Sequence, residues 1–258
     1  MIEASKKRAE IADVVRMLDG LSPIQVDVVH AIIKSFANKQ ANELLRSDFL
    51  TEEAFEYFAM RLAAHHAFSS HVLKKENFEH ILEEAFRRTG VTTKRANSMT
   101  LRGADLTVNE VTLSLKTEGA RGLQASQIVI SKLMEAAWIK QVRTTADIPA
   151  YIEKMVLPHF ENYDRVFILR TYPDTEREGF TRYDLREIPK DVLKLIGGLT
   201  PADFTALTAK RSTSATIKLN GRRAFQFRLD GSDDKLTINQ LDVDLCPLHA
   251  WWSLTTPT

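Results

Sequence analysis

The chain has a single cysteine, Cys246, so it can form no internal disulfide and no cysteine-rich zinc site. No apolar run approaches the ~20 residues that would span a bilayer. The N-terminus, Met-Ile-Glu-Ala-Ser-Lys-Lys-Arg-Ala-Glu, is charged and lacks the apolar centre of a signal peptide. These absences predict a reducing, cytoplasmic setting with no membrane partner. An excess of one charge is also missing. Lys and Arg total 35 and Asp and Glu 34, a net of +1, which argues against a protein that coats polyanions by bulk charge. There is no internal repeat, low-complexity tract or Gly/Ser linker. One α/β (α+β) domain over 1–258 is the simplest partition, with 1–75 helical and 76–258 carrying the rest.

What charge there is falls unevenly. Residues 85–104 carry Arg87, Arg88, Lys94, Arg95 and Arg102 with no acid. Residues 204–229 carry Lys210, Arg211, Lys218, Arg222, Arg223 and Arg228, again with no acid. Two such windows suit a nucleic-acid backbone, although either alone would pass for a solvated loop.

Apolar spacing predicts helices in the first third. Ile11, Val14, Val15 and Leu18 recur at helical intervals, and Ser22-Pro23 is a cap with proline at the first helical position. The helix that follows carries Val26, Val29, Ile32, Ile33 and Phe36. Thr51 caps a third helix, with Phe55, Phe58 and Leu62 inward. A fourth, about 76–88, turns Phe78, Ile81, Leu82, Ala85 and Phe86 inward and ends at Gly90. Beyond it, 111–118 alternates as a strand, 126–140 and 151–157 read as helices, the latter closed by Pro158, and 165–171 pairs with 183–188. Residues 214–254 read as two or three strands with a hairpin turn at Asn220-Gly221.

The segment 103–118, Gly-Ala-Asp-Leu-Thr-Val-Asn-Glu-Val-Thr-Leu-Ser-Leu-Lys-Thr-Glu, carries the chemistry. Alternation sends Val111, Leu113 and Leu115 to one face and Thr112, Ser114, Lys116 and Glu118 to the other. Asp105, before the Asn109-Glu110 turn, can lie beside that polar face. A carboxylate to hold Mg²⁺ and an ammonium to position water or neutralise charge form the minimal kit for phosphodiester hydrolysis. A solvated hairpin would have the same spacing. His65, His66 and His71 lack zinc-helix spacing and read as structural or phosphate-facing, and His249 reads as core or interface. Trp138, Trp251 and Trp252 read as packing anchors.

The order helix with Glu79 and Glu83, loop, Asp105, strand with Lys116, and helix resembles the PD-(D/E)XK nuclease superfamily, which includes many type II restriction endonucleases. Collinear blocks resemble the SmaI type of these enzymes more closely. They are His65-His66-Ala67-Phe68-Ser69-Ser70, Phe78-Glu79-His80, Leu115-Lys116-Thr117-Glu118, Ser131-Lys132-Leu133-Met134-Glu135 and Glu161-Asn162-Tyr163. Glu187-Ile188-Pro189-Lys190, Asp230-Gly231 and Cys246-Pro247-Leu248-His249-Ala250-Trp251 complete the series. The resemblance implies a Mg²⁺-dependent homodimer that cuts a GC-rich, CCCGGG-like palindrome in double-stranded DNA, with a DNA methyltransferase as genetic partner. It also exposes a departure. The superfamily has an acid two residues before the lysine, where this chain has Ser114. The second carboxylate must come from Glu118 on the same strand face, which would join Asp105 as metal ligand, from Glu79 on the preceding helix, or from Glu135 on the expected following helix.

For base reading, Arg222, Arg223, Gln226 and Arg228 are the expected side chains, because arginine suits the guanine edge. Arg223 and Arg228 are five apart and cannot share a face of a regular strand, so some are assigned to phosphate, with Lys210, Arg211, Arg95 and Arg102. A structure-specific repair nuclease and a DNA-binding protein with a decayed metal site remain as alternatives, the latter because of Ser114.

Overall fold

The computed structural model describes residues 2–38, 40–96, 104–119 and 123–255. Its helices begin where the caps dictate. After α1 (Ile2–Leu18), Ser22 and Gln25 form a reciprocal capping box at the head of α2 (Pro23–Ala37). The Ala54 N–H donates to the Thr51 hydroxyl to start α3 (Glu52–His66). In α4 (Lys75–Arg88) the expected apolar stripe is buried, and Gly90, at φ +76°, turns the chain out of the helix. One element in this region was not expected. The strand β1 (Ala41–Leu44) lies between α2 and α3 and pairs with the last strand of the chain.

The remaining strands are β2 (Thr93–Arg95), β3 (Leu106–Val108), β4 (Val111–Glu118), β5 (Gln127–Glu135), β6 (Arg165–Pro173), β7 (Phe180–Glu187), β8 (Thr213–Leu219), β9 (Arg222–Asp230), β10 (Lys235–Asp242) and β11 (Leu248–Thr255). Seven of the eleven form one mixed sheet in the order β1-β11-β7-β6-β4-β3-β2, and β5-β10-β9-β8 form a second. In the first sheet β4 and β6 run parallel, with Ser114 beside Val166 and Lys116 beside Ile168, and the other neighbours are antiparallel. The C-terminal region thus holds four strands, one more than expected, and Asn220 (φ 51°) and Gly221 (φ 79°) make the β8–β9 turn.

Alternation along β6 places the large sheet between two cores. Phe167 and Leu169 pack with Leu113, Leu115, Phe58, Phe78, Leu82 and Trp252 on the α3–α4 side. Val166 and Ile168 pack with Ile128, Ile130, Phe225, Phe227 and Ile238 on the side of the second sheet. Strand β4 therefore has its apolar face under α4 and its polar face toward the second sheet.

Two expected helices are corrected. Residues 126–140 form β5 followed by a 3₁₀ turn at Ala137–Gln141. The run Ile128-Val129-Ile130 is β-branched and alternates in burial, and β10 offers it an antiparallel partner, which overrides the helical spacing of the later residues. The helical segment about 148–162 does not stop at Pro158. A π-turn at Ile152–Val156 closes with the Leu157 N–H on the Ile152 carbonyl, and the chain passes through the proline to Asn162. Proline has no N–H for the carbonyl four residues back, and the wider turn accommodates that loss.

Candidate active site

Asp105 extends β3 by one residue. Its N–H donates to the Leu113 carbonyl at 2.7 Å, and its own carbonyl accepts from Ala96 at 3.2 Å. The two-residue turn at Asn109 (φ 46°) and Glu110 (φ 69°) folds β4 back along β3, which brings the Asp105 side chain to the middle of β4. There the Leu115 N–H donates to Asp105 Oδ2 at 2.6 Å, and the Ser114 hydroxyl lies 3.5 Å from the same oxygen. Ser114 thus sets the orientation of Asp105 from the position where a second acid was sought.

The other oxygen faces the first turn of α4. Lys75 Nζ lies 2.8 Å from Asp105 Oδ1 and 3.1 Å from Glu79 Oε1, so one ammonium holds two carboxylates. Lys75 was not foreseen, although its i, i+4 spacing to Glu79 was legible. Burial lowers the lysine's pKa, but Asp105 and Glu79 outweigh it and the net shift is upward. For Glu79 burial wins over Lys75, and the carboxyl is raised. Glu83, one turn on, instead reaches Arg95 at 4.0 Å.

Lys116 lies on the opposite face of β4 from Leu115. Burial brings its pKa down to about 8; Lys75 and Lys132 act in the same sense, against Asp105 and Glu79. Its ammonium has no hydrogen-bond partner among the described residues. The site therefore combines a carboxylate pair, a lysine bound to both, and a second lysine whose pKa is brought down toward the physiological range.

The two other glutamates do not join this group. Glu118 is buried against Arg170, whose Nε donates to Oε2 at 2.6 Å, and the Val129 N–H donates to Oε1 at 2.7 Å. Both oxygens of Glu118, the residue expected as ligand beside Asp105, are thus hydrogen-bonded within the protein. Arg170, fully buried, also donates to the carbonyls of Gln124, Ala125 and Gln127 and so ties the start of β5 to β6. Glu135 lies at the exposed end of β5 and not on a helix. It pairs with Lys132, on a strand where the sequence predicts a helix.

His65, His66, His249 and the three tryptophans make structural contacts. His66 is buried between the Tyr183 hydroxyl (2.7 Å) and the Ser69 carbonyl (2.8 Å), and burial lowers its pKa to about 4. His65 meets the His71 carbonyl at 2.9 Å, and His249 meets Ser47 at 2.8 Å. Trp252 stacks on Phe55, Trp138 on Tyr151, and Arg182 lies over Trp251.

The basic strand β9 departs from the expected regularity. Ile217 pairs with Phe225 but Lys218 pairs with Arg223, so Ala224 is a bulge, and both Ala224 and Phe225 are buried. The extra residue resets the alternation. Arg223, Gln226 and Arg228 now share the outer face with their cross-strand partners Lys218, Thr216 and Ser214. Arg223 also donates to Gln240 at 2.7 Å, and Arg222 is exposed at the strand start. Lys210 and Arg211 form the turn before β8. Gly231 seats that turn, since a Cβ there would lie 1.8 Å from the Lys210 carbonyl oxygen. Arg95 is exposed on β2, on the same sheet edge as Asp105. Arg102 lies outside the described residues.

Among the described residues no helix is long and apolar enough to cross a membrane, and no three His, Cys, Asp or Glu side chains cluster as a ready metal cage. A family model described as SmaI, type II site-specific deoxyribonuclease, matches residues 14–254. The type II restriction enzyme SmaI of Serratia marcescens is 29% identical over 231 residues, which cover 87% of this chain and 89% of that protein. No solved structure matches the chain.

Proposed function

The chain belongs to the SmaI family of type II site-specific deoxyribonucleases, and from that premise we propose that Asp105, Glu79 and Lys116 form its hydrolytic centre, with Mg²⁺ as cofactor. The observation that carries this is the convergence of Asp105 and Glu79 on one cation, the Lys75 ammonium, at 2.8 and 3.1 Å. Two hard carboxylate oxygens that share one cation position suit Mg²⁺, which takes one or two carboxylates and keeps several waters, so a three-acid cage is not needed. Bound there, Mg²⁺ supplies an acidified water and charge on the phosphate oxygens.

The chain's own groups do the rest. The Leu115 N–H and the Ser114 hydroxyl fix the orientation of Asp105. Glu79 supplies the carboxylate that the residue before Leu115 lacks. Lys116, beside the pair, holds the attacking water or offsets the negative charge that develops on the phosphate. This arrangement is that of a PD-(D/E)XK centre whose second acid has moved from the strand to the preceding helix.

The substrate is double-stranded DNA with a short, GC-rich, CCCGGG-like palindrome, read through the outer face of β9. The enzyme works as a homodimer, because a two-fold site is matched by two identical surfaces. A DNA methyltransferase is its genetic partner. Digestion of plasmid DNA in Mg²⁺ tests the proposal. Discrete fragments from the wild type are expected, with none from Asp105→Ala, Glu79→Ala or Lys116→Ala, while each variant binds cognate DNA within about tenfold of the wild type, or about 1.4 kcal/mol. A variant that cuts at the wild-type rate would remove its residue from the centre.

A further inference from the structure

The first two helices leave an apolar surface uncovered. On α1, Ile11, Val14, Val15 and Met17 are 52–66% exposed. On α2, Ile24, Val26, Val28, Ile33 and Phe36 are 41–76% exposed, and no residue of that helix is buried. Among the described residues, helix α1 packs on the other elements at most loosely, and α2 leans on α3. Elsewhere among the described residues, large exposed apolar side chains are scattered: Met60, Phe68, Val72, Val111 and Val129.

Ile11, Val14, Val15 and Leu18 follow the i, i+3, i+4, i+7 pattern of a helix made to bury one stripe. A helix this short gains most of its stability from such packing and not from its own hydrogen bonds. Monomers seldom expose contiguous apolar patches beyond a few hundred Å². On α2, Val26 and Ile33 lie on the side that carries His30, and Ile24 and Val28 on another, so packing on α3 alone leaves apolar side chains exposed.

The charges identify the occupant. Asp27 and Lys34 lie about two turns apart on one side of α2 and flank its apolar arc. When two copies of α2 pack antiparallel about a two-fold axis, each Asp27 meets the Lys34 of the other copy, and the axis falls beside His30. A self-complementary surface of this kind is what an isologous contact requires. We propose that α1 and α2 are the dimer interface, packing against the same helices of a second copy. The proposal rests on the homodimer reading above and gives that dimer its surface.

The test is sedimentation equilibrium on the full chain without DNA, with circular dichroism as a fold check. The wild type should be a dimer. Val15→Glu and Ile33→Glu should each raise the dimer dissociation constant at least a hundredfold, and Phe68→Glu should not change it. As a second measurement that needs no disruptive substitution, His30→Cys should form a disulfide-linked dimer on mild oxidation, since Cys246 is buried and the new thiol faces its own copy. Phe68→Cys should stay monomeric on a denaturing gel. A monomeric wild type, variants that dimerise as well as the wild type, or His30→Cys linking no better than Phe68→Cys would each overturn the proposal. Plasmid digestion on the same preparations separates the two readings. Loss of dimer in the variants with no cleavage by the wild type would sink only the nuclease centre. Cleavage with dimers intact in every variant would sink only this interface.

Discussion

Lys75 Nζ lies 2.8 Å from Asp105 Oδ1, and the same ammonium holds Glu79. A divalent ion bound by those carboxylates must displace the lysine. Lys75→Met should therefore tighten binding of Ca²⁺ to the DNA-free enzyme, by about tenfold if the displaced ion pair is worth ~1.4 kcal/mol. Titration calorimetry of wild type and variant checks this. Equal or weaker Ca²⁺ binding by the variant would mean that the metal does not sit between Asp105 and Glu79.

Lys116 gives a prediction in pH. Its pKa in the folded protein is about 8, against 10.5 for the ordinary side chain. The unfolded chain thus binds more protons than the native one between those values, and stability rises with pH across that window. Below pH 8 the buried charge is a full cost, and by pH 10.5 the cost is relieved. Lys116→Met should be inactive but more stable than the wild type at pH 7, by about 1–3 kcal/mol. The difference should shrink as pH rises from 8 to 10.5. Urea titrations at several pH values measure it, and a variant less stable at pH 7 would show that burial is not what shifts this lysine.

The fate of Glu118 separates structure from catalysis. Its pair with Arg170 is buried and satisfied on both sides by further hydrogen bonds. Glu118→Ala leaves a buried guanidinium without its anion and should cost about 3–5 kcal/mol. Arg170→Met should cost a similar amount, and Glu118→Gln less. At a temperature where Glu118→Gln is folded, its Mg²⁺ requirement for cleavage should match that of the wild type. A raised requirement would return Glu118 to the metal site.

These residues mark how far the sequence could be read. Asp105 and Lys116 were legible because a turn and a period-two strand fix them locally, and the inward faces of α3 and α4 followed from helical spacing for the same reason. For Glu118, alternation gives the face of the strand and not the partner across it. That partner, Arg170, is 52 residues away. Glu135 was misplaced with its whole segment, where a partner strand from the C-terminal region decided between helix and strand. Lys75 was missed because its role appears only when the β3–β4 hairpin is laid against α4.

The bulge at Ala224 carries the last prediction. On a regular strand Arg223 and Arg228 would face opposite ways, and they would divide between base and phosphate. With the bulge, Arg223, Gln226 and Arg228 line one surface with Thr216 and Lys218. Inserting one residue between Ile217 and Lys218 should give Ala224 a cross-strand partner, restore regular alternation and turn Arg223 inward. Cognate binding should then fall by about 1–3 kcal/mol, as when a base-reading arginine is lost, with little change on scrambled DNA. Arg228→Ala should show the same selective loss. Arg222→Ala, at the strand end, should weaken both duplexes and reduce the salt slope by about one. Binding of the three variants to cognate and scrambled duplexes over a salt series distinguishes these outcomes. Equal losses on both duplexes for Arg228→Ala and the β8 insertion would show that this face grips only the backbone, and base reading would then be sought on the β2 edge around Arg95.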